Sequence, residues 1–397
     1  MQAASYDGLR DAIRGESLPL AMVDLAAFDA NVALVRRLAG SKPVRVASKS
    51  VRCVDLLRRV LDEGAPFAGL LTFTIAEACD LAEQGFDDLL VAYPSCDRAS
   101  LTRAAELKRS GKSIVIMVDA TAHVDAARDA AKAAGVELEL CIDVDMSTDF
   151  GPLHFGVNRS PLVRTEDVAA VARYAKSVGH VSVVGMMGYE AQVAGVPDRV
   201  PGKGAESALV RRLKKSSLGP IRARRAAASD AIASIWGPLR IVNAGGSGSL
   251  TSSREEEVVT EVTAGSAFFA PHLFDHYDQL PVRPAAFFAL EVARIAAADI
   301  YTCLGGGYVA SGEPGADRAP QVYAPAGGSL VKHQGAGEVQ TPVRFSDGLR
   351  LQHGDPVFFR HAKAGELCER FAELVLVQDG RVVGRARTYR GEGKTYI

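Results

Sequence analysis

One rhythm constrains this chain more than any other feature. Between residues 44 and 270 a short β-rich run is followed by a longer stretch of helical periodicity, and the unit recurs eight times. The runs are VRVASK (44–49), FAGLLTF (67–73), DLLVAY (88–93), SIVIMVD (113–119), LELCIDVD (138–145), VVGMMGYE (183–190), RIVNAGG (240–246) and TEVTAGSAFF (260–269). They are continuously apolar, as strands buried on both faces must be. Between them lie patterns such as VDLLRRVLDEG, TIAEACDLAEQG and ATAHVDAARDAAKAAG, in which glycine closes the helix. Eight such units predict a (β/α)8 TIM-type barrel rather than an open sheet.

Beyond residue 280 the alternation stops, and short strands with SDGL and QDGR turns take over. The expected organisation is a barrel over residues 1–275 and a C-terminal β-rich domain over 276–397. The early run LAMVDL (20–25) is open to pairing with that second domain instead. Segment 203–235 is basic and reads as one helix, or as two broken at Gly219-Pro220, with a solvated face as its plain interpretation.

Composition narrows the partners. With 48% apolar and 23% charged residues and a net charge of -1, nothing points to nucleic acid or a membrane surface. No apolar run approaches the ~20 residues that span a bilayer, and the N-terminus has no signal-peptide core. Six cysteines are dispersed without a CxxC pair, which suits a reducing compartment, so the expected location is the cytoplasm.

Barrel enzymes place their chemistry at the C-terminal ends of the strands. Read in order, those ends carry Lys49, then Asp143 and Asp145, then Tyr189 and Glu190, then Gly245, Gly246, Ser247 and Gly248, and finally Thr263 and Gly265. The turns NAGGSGSL and VTAGS on strands seven and eight would let backbone amides approach a phosphate. A lysine facing such a cradle suits a phosphorylated aldehyde held as an imine, namely pyridoxal 5'-phosphate. The amine attacks only when neutral, so burial must lower its pKa from about 10.4.

The segments LAMVDLAAFDANVALVRRL, PVRVASKSVRC, GYEAQVAG, NAGGSGSL and TEVTAGSAFF, in this order, resemble the fold-type III pyridoxal phosphate enzymes, the alanine racemase-like barrel group. Within the group the resemblance is to the D-threonine aldolase and D-serine dehydratase branch. It implies Lys49 as the Schiff-base lysine, Tyr189 beside the cofactor ring or phosphate, and Gly245, Gly246, Ser247, Gly248, Thr263 and Gly265 around the phosphate. It implies an arginine facing the pyridine nitrogen, for which Arg159 in HFGVNRSP is the candidate. Two carriers of a divalent metal (zinc, manganese or magnesium) are also implied, written His-x-Cys or His-x-Asp. Here His361 is followed at that spacing by Lys363, so either Cys368 replaces the missing ligand or the site has lost its metal; His353 and His333 are lesser candidates.

The activity implied is a lyase acting on a β-hydroxy D-amino acid, with Lys49 and His361 as catalytic residues and a homodimer as the assembly. The reading leans to aldol cleavage. Dehydration with deamination is the alternative, then racemization, for which Tyr301, Tyr308 and Tyr323 leave a second base open. A non-catalytic pyridoxal phosphate-binding protein lacks a second domain, and a cofactor-free sugar-phosphate barrel enzyme would be colourless.

Overall fold

The computed structural model describes residues 5–313, 315–345 and 348–396. Eight parallel strands close into a barrel: Val44–Ala47, Phe67–Thr72, Leu89–Val91, Ile114–Val118, Leu138–Asp143, Val181–Met187, Ile241–Ala244 and Glu261–Ala264. The eighth strand pairs with the first, Val262 opposite Val44 and Ala264 opposite Val46. Several strands are shorter than their apolar runs. Ser48–Ser50 is a 3-10 turn and Ser266–Phe269 a helical turn, because apolarity marks burial and not backbone conformation.

Alternate side chains of the strands fill the barrel: Leu71, Leu90, Val115, Met117, Cys141, Met187 and Ile241 pack with Ala47 and Ala92. The two alanines stand at or just past the ends of their strands, so the filling thins at that mouth. The opposite end is closed by charge. Arg45 donates to Glu261 at 2.6 and 2.7 Å and to Asp88 at 3.1 Å, with its side chain only 3% exposed. Removing one member of such a buried pair costs roughly 3–5 kcal/mol.

Apart from a two-stranded hairpin, Thr148–Phe150 with Leu153–Phe155, the remaining strands form a nine-stranded sheet. The early strand Leu20–Asp24 lies inside it, antiparallel to Ala286–Ala297 (Leu20 opposite Ala289) and parallel to Glu373–Gln378 (Ala21 opposite Leu374). The QDGR turn joins Glu373–Gln378 to Arg381–Arg387, with φ of 50° at Asp379 and 73° at Gly380. Both values are those a two-residue hairpin demands. The SDGL turn falls partly outside the described residues.

Segment 203–235 becomes one helix, Gly204–Trp236, continuous through Pro220. Most of its basic side chains, among them Arg211, Arg212, Lys215 and Arg222, are exposed as a solvated face requires, with two exceptions. Arg225 is fully buried and Lys214 is nearly so, because both hold loops at the barrel mouth. Among the described residues, no helix is long and apolar enough to cross a membrane.

Candidate active site

The thinning of the barrel filling opens a cavity of about 610 Å³, walled by the strand ends and by Ser311, Asp317, Arg318 and residues 362–366 of the second domain. It gathers Lys49, Arg159, Tyr189, Gly245, Gly246, Ser247, Thr263 and Gly265, which the sequence placed together. Gly248 does not reach it and lines a smaller pocket behind the turn.

Lys49 follows the first strand directly, and its amine makes no hydrogen bond or ion pair among the described residues. The side chain is open to the cavity yet surrounded by protein on every other side. That enclosure, with the positive charges of Arg159, Arg52 and Lys363, pushes its pKa below the ordinary lysine value; Glu77 opposes the shift.

Arg159 is held by three contacts. Nε donates to Asp143 at 2.8 Å, Nη2 donates to the Ala92 carbonyl at 2.7 Å, and the guanidinium lies 4.5 Å from the Tyr93 ring centroid. Burial drives the Asp143 carboxyl up to about 7 against the pull of Arg159. Burial also drives Tyr189 up to about 12, so its hydroxyl stays protonated at neutral pH.

The glycine-rich turn hangs on Glu190. This buried carboxylate accepts from the Gly245 amide at 3.3 Å, from Ser249 Oγ at 2.6 Å and from Ser253 Oγ at 2.5 Å, and Arg225 neutralises it at 2.7 Å. Ser247 Oγ accepts from the Ala267 amide at 3.0 Å, which ties the two turns together. Among the described residues the amides of Ser247, Gly248 and Ser266 donate to no protein acceptor. Gly265 admits this packing, since a Cβ there would stand 2.8 Å from the Cβ atoms of Ala47 and Ser50. Free amides beside a free amine suit a phosphate and an aldehyde, so the donor set fits the cofactor expected from the sequence.

The expected metal pair does not converge. Cys368 is fully buried, and its thiol donates to the Val51 carbonyl at 3.2 Å, while burial raises its pKa well above the ordinary value. His361 packs edge-on against Phe269, 6.3 Å between centroids, and neither ring nitrogen meets hydrogen-bond geometry. Burial lowers its pKa to about 3. Neither residue lines the cavity, whereas Lys363 does. Among the described residues no three His, Cys, Asp or Glu side chains come together as ligands. The residues present therefore do not fit the metal the resemblance implied. His333 and His353 are exposed, and Tyr301, Tyr308 and Tyr323 stand outside this cavity.

Several lining residues were not anticipated: Arg52, Tyr93, Asn243, Ser266, Tyr277, Ser311 and Arg318. Tyr93 closes the third run, so reading all eight strand ends would have found it. Ser311 and Arg318 lie in a stretch without periodicity, and no local signal marks them.

The sequence model described as alanine racemase, N-terminal domain, matches residues 23–270. The chain belongs to that family. It is 22% identical over 253 residues to the 3-hydroxy-D-aspartate aldolase of Paracoccus denitrificans (strain Pd 1222), a match that spans 63% of this chain and 60% of that protein's length. Its fold is that of the D-threonine aldolase from Filomicrobium marinum, with a TM-score of 0.80 at 18% identity over 94% of this chain and 96% of that one. The D-threo-3-hydroxyaspartate dehydratase from Delftia sp. HT23 follows with a TM-score of 0.75 at 19% identity, over 95% and 99%.

Proposed function

We propose that this chain is a pyridoxal phosphate-dependent lyase that cleaves β-hydroxy D-amino acids by retro-aldol chemistry. The observation that carries the reading is the unpaired Lys49 amine sharing one cavity with the glycine turns of strands seven and eight. When bound, the cofactor supplies an aldehyde for the substrate amine and an electron-withdrawing ring that favours breaking a bond at Cα. Lys49 would hold the aldehyde carbon, and its lowered pKa keeps more of the amine in the nucleophilic form. Ser247 and Ser266 would hold the phosphate through their free amides.

Arg159 would face the ring nitrogen, and Asp143 keeps its guanidinium in place. A guanidinium there donates a hydrogen bond but does not release its proton to the ring nitrogen, which restrains how far charge runs into the ring. Tyr189 and Tyr93 flank Arg159, at 5.9 and 4.5 Å from ring centroid to guanidinium carbon, and present apolar faces that exclude water. Once the substrate amine has taken its place, the neutral Lys49 amine is free to accept a proton within the cavity.

Dehydration with deamination is the second reading, because the named relatives divide between aldolases and a dehydratase. The test is a panel of D- and L-β-hydroxy amino acids offered to the purified, cofactor-loaded protein. Aldehyde with a shorter amino acid supports aldol cleavage, and ammonia with a keto acid supports the alternative. A homodimer is the assembly this reading favours, since closing each mouth against water would protect the cofactor linkage. Light scattering at micromolar protein checks it, and an active monomer would remove the idea.

A further inference from the structure

Five cations border the cavity: Lys49, Arg52, Arg159, Lys363 and Arg318. Two are already matched. Arg159 is paired with Asp143 and Arg52 with Glu369. Lys49 is the amine reserved for the aldehyde under the reading above. That leaves Lys363 and Arg318, both from the second domain.

Neither of the two is well paired. Lys363 Nζ donates to Ser311 Oγ at 3.1 Å, and among the described residues no carboxylate lies within 4.0 Å of it. Glu366 is close by in sequence, but Ser311 occupies it through both its amide, at 3.0 Å, and its hydroxyl. Among the described residues the one carboxylate Arg318 meets is that of Asp317, at a loose 3.6 Å, and it is half exposed to water. The Nε of Arg318 is buried and finds no hydrogen-bond partner among the described residues. An unsatisfied buried donor is costly and invites an acceptor.

The two cations also converge. A Cβ built on Gly312 would lie 3.5 Å from Arg318 Nε and 3.5 Å from Lys363 Nζ, so this glycine leaves open the space that both nitrogens border. We propose that Lys363 and Arg318 form an anion subsite that takes a side-chain carboxylate, which makes the preferred substrate a β-hydroxy amino acid with two carboxylates. This inference rests on the lyase reading and deepens it. Charge matching favours two carboxylates over one. The α-carboxylate common to all amino acids could satisfy one cation and would leave the other without a counter-charge. A methyl side chain, as in threonine, would put an apolar group against one of them.

The experiment compares two ligands of equal shape and different charge, neither of which carries a β-hydroxyl. Calorimetric titration of the cofactor-loaded protein with D-aspartate and with D-asparagine reads binding without turnover. The expected result is D-aspartate binding about 10- to 100-fold tighter, as a charge-assisted contact gives. Lys363→Met and Arg318→Met should each remove most of that preference, and Lys363→Arg should restore it. Equal affinity for the two ligands overturns the subsite. So does a variant that weakens both ligands to the same extent, because the pair would then be reading the α-carboxylate. Should either methionine variant fail to fold, the unaltered protein decides: the preference must shrink as salt screens the contact. Turnover of β-hydroxy amino acids together with equal binding of D-aspartate and D-asparagine sinks this inference alone, whereas absence of turnover and of any amino-acid binding sinks the lyase reading with it.

Discussion

Gly365 of the second domain packs directly on the backbone of Lys49. A Cβ built on it would stand far inside contact distance of the Lys49 carbonyl oxygen, and 3.2 Å from Arg52 Nε. The two domains thus meet at the one lysine to which the proposed chemistry assigns the central part. Gly365→Ala should force them apart at that point, at a cost of roughly 1–3 kcal/mol as overpacking gives. A shift in the urea midpoint, with weaker cofactor retention on dialysis, is the expected result. An unchanged midpoint and unchanged retention would show that the wall yields freely.

Lys49 should be the residue that carries the cofactor. Borohydride reduction of the loaded protein, followed by peptide mapping, is expected to place the pyridoxyl group there and to leave none in Lys49→Ala. Because its pKa lies below the ordinary lysine value, the cofactor-free protein should acylate at Lys49 ahead of its surface lysines at pH 8. Label on another lysine would undo the assignment of the first strand end as well.

Much of this arrangement was legible in the sequence because the signals are local. An apolar run followed by an amphipathic stretch marks a strand and its helix, and a polar residue at the end of such a run marks the barrel mouth. Lys49, Tyr189 and Ser247 could be found that way. What the pattern hides is long-range. Arg225 looks like one charge among many on a basic helix, and only the fold shows it buried against Glu190, which is remote in sequence. Glu77 sits in the first turn of its helix and accepts from the Phe73 amide at 2.5 Å, and it also takes the Tyr389 hydroxyl at 2.9 Å from the far end of the chain. The Lys363 and Arg318 pair belongs to the same class, since Gly312 brings them together without any spacing that announces it.

Cys368 should prove structural. Its thiol is fully buried and donates to the Val51 carbonyl, and a serine hydroxyl can replace that donor at a cost of about 1 kcal/mol. Cys368→Ser is therefore expected to lower stability slightly while leaving the metal content of the purified protein unchanged. Loss of a stoichiometric ion from this variant, measured by elemental analysis, would restore the cysteine as a ligand.

The Asp143 and Arg159 contact should leave a mark on stability against pH. Burial raises the Asp143 pKa from its ordinary value near 3.8 to about 7, so between those values the folded protein holds a proton that the unfolded chain has lost. Stability from this group is then full below about pH 4 and falls as pH rises toward 7, the reverse of a carboxylate stabilised by its ion pair. Arg159 pulls the other way, since the same contact raises its own pKa, but the guanidinium is cationic at every pH concerned and contributes no slope. Asp143→Asn removes the titration and keeps the shape. The stability of the unaltered protein relative to Asp143→Asn, from denaturant curves at pH 5 through 8, should therefore decline with rising pH and level off above 7. A relative stability that climbs over the same interval would mean that the attraction of Arg159 outweighs burial and that Asp143 is ionised throughout.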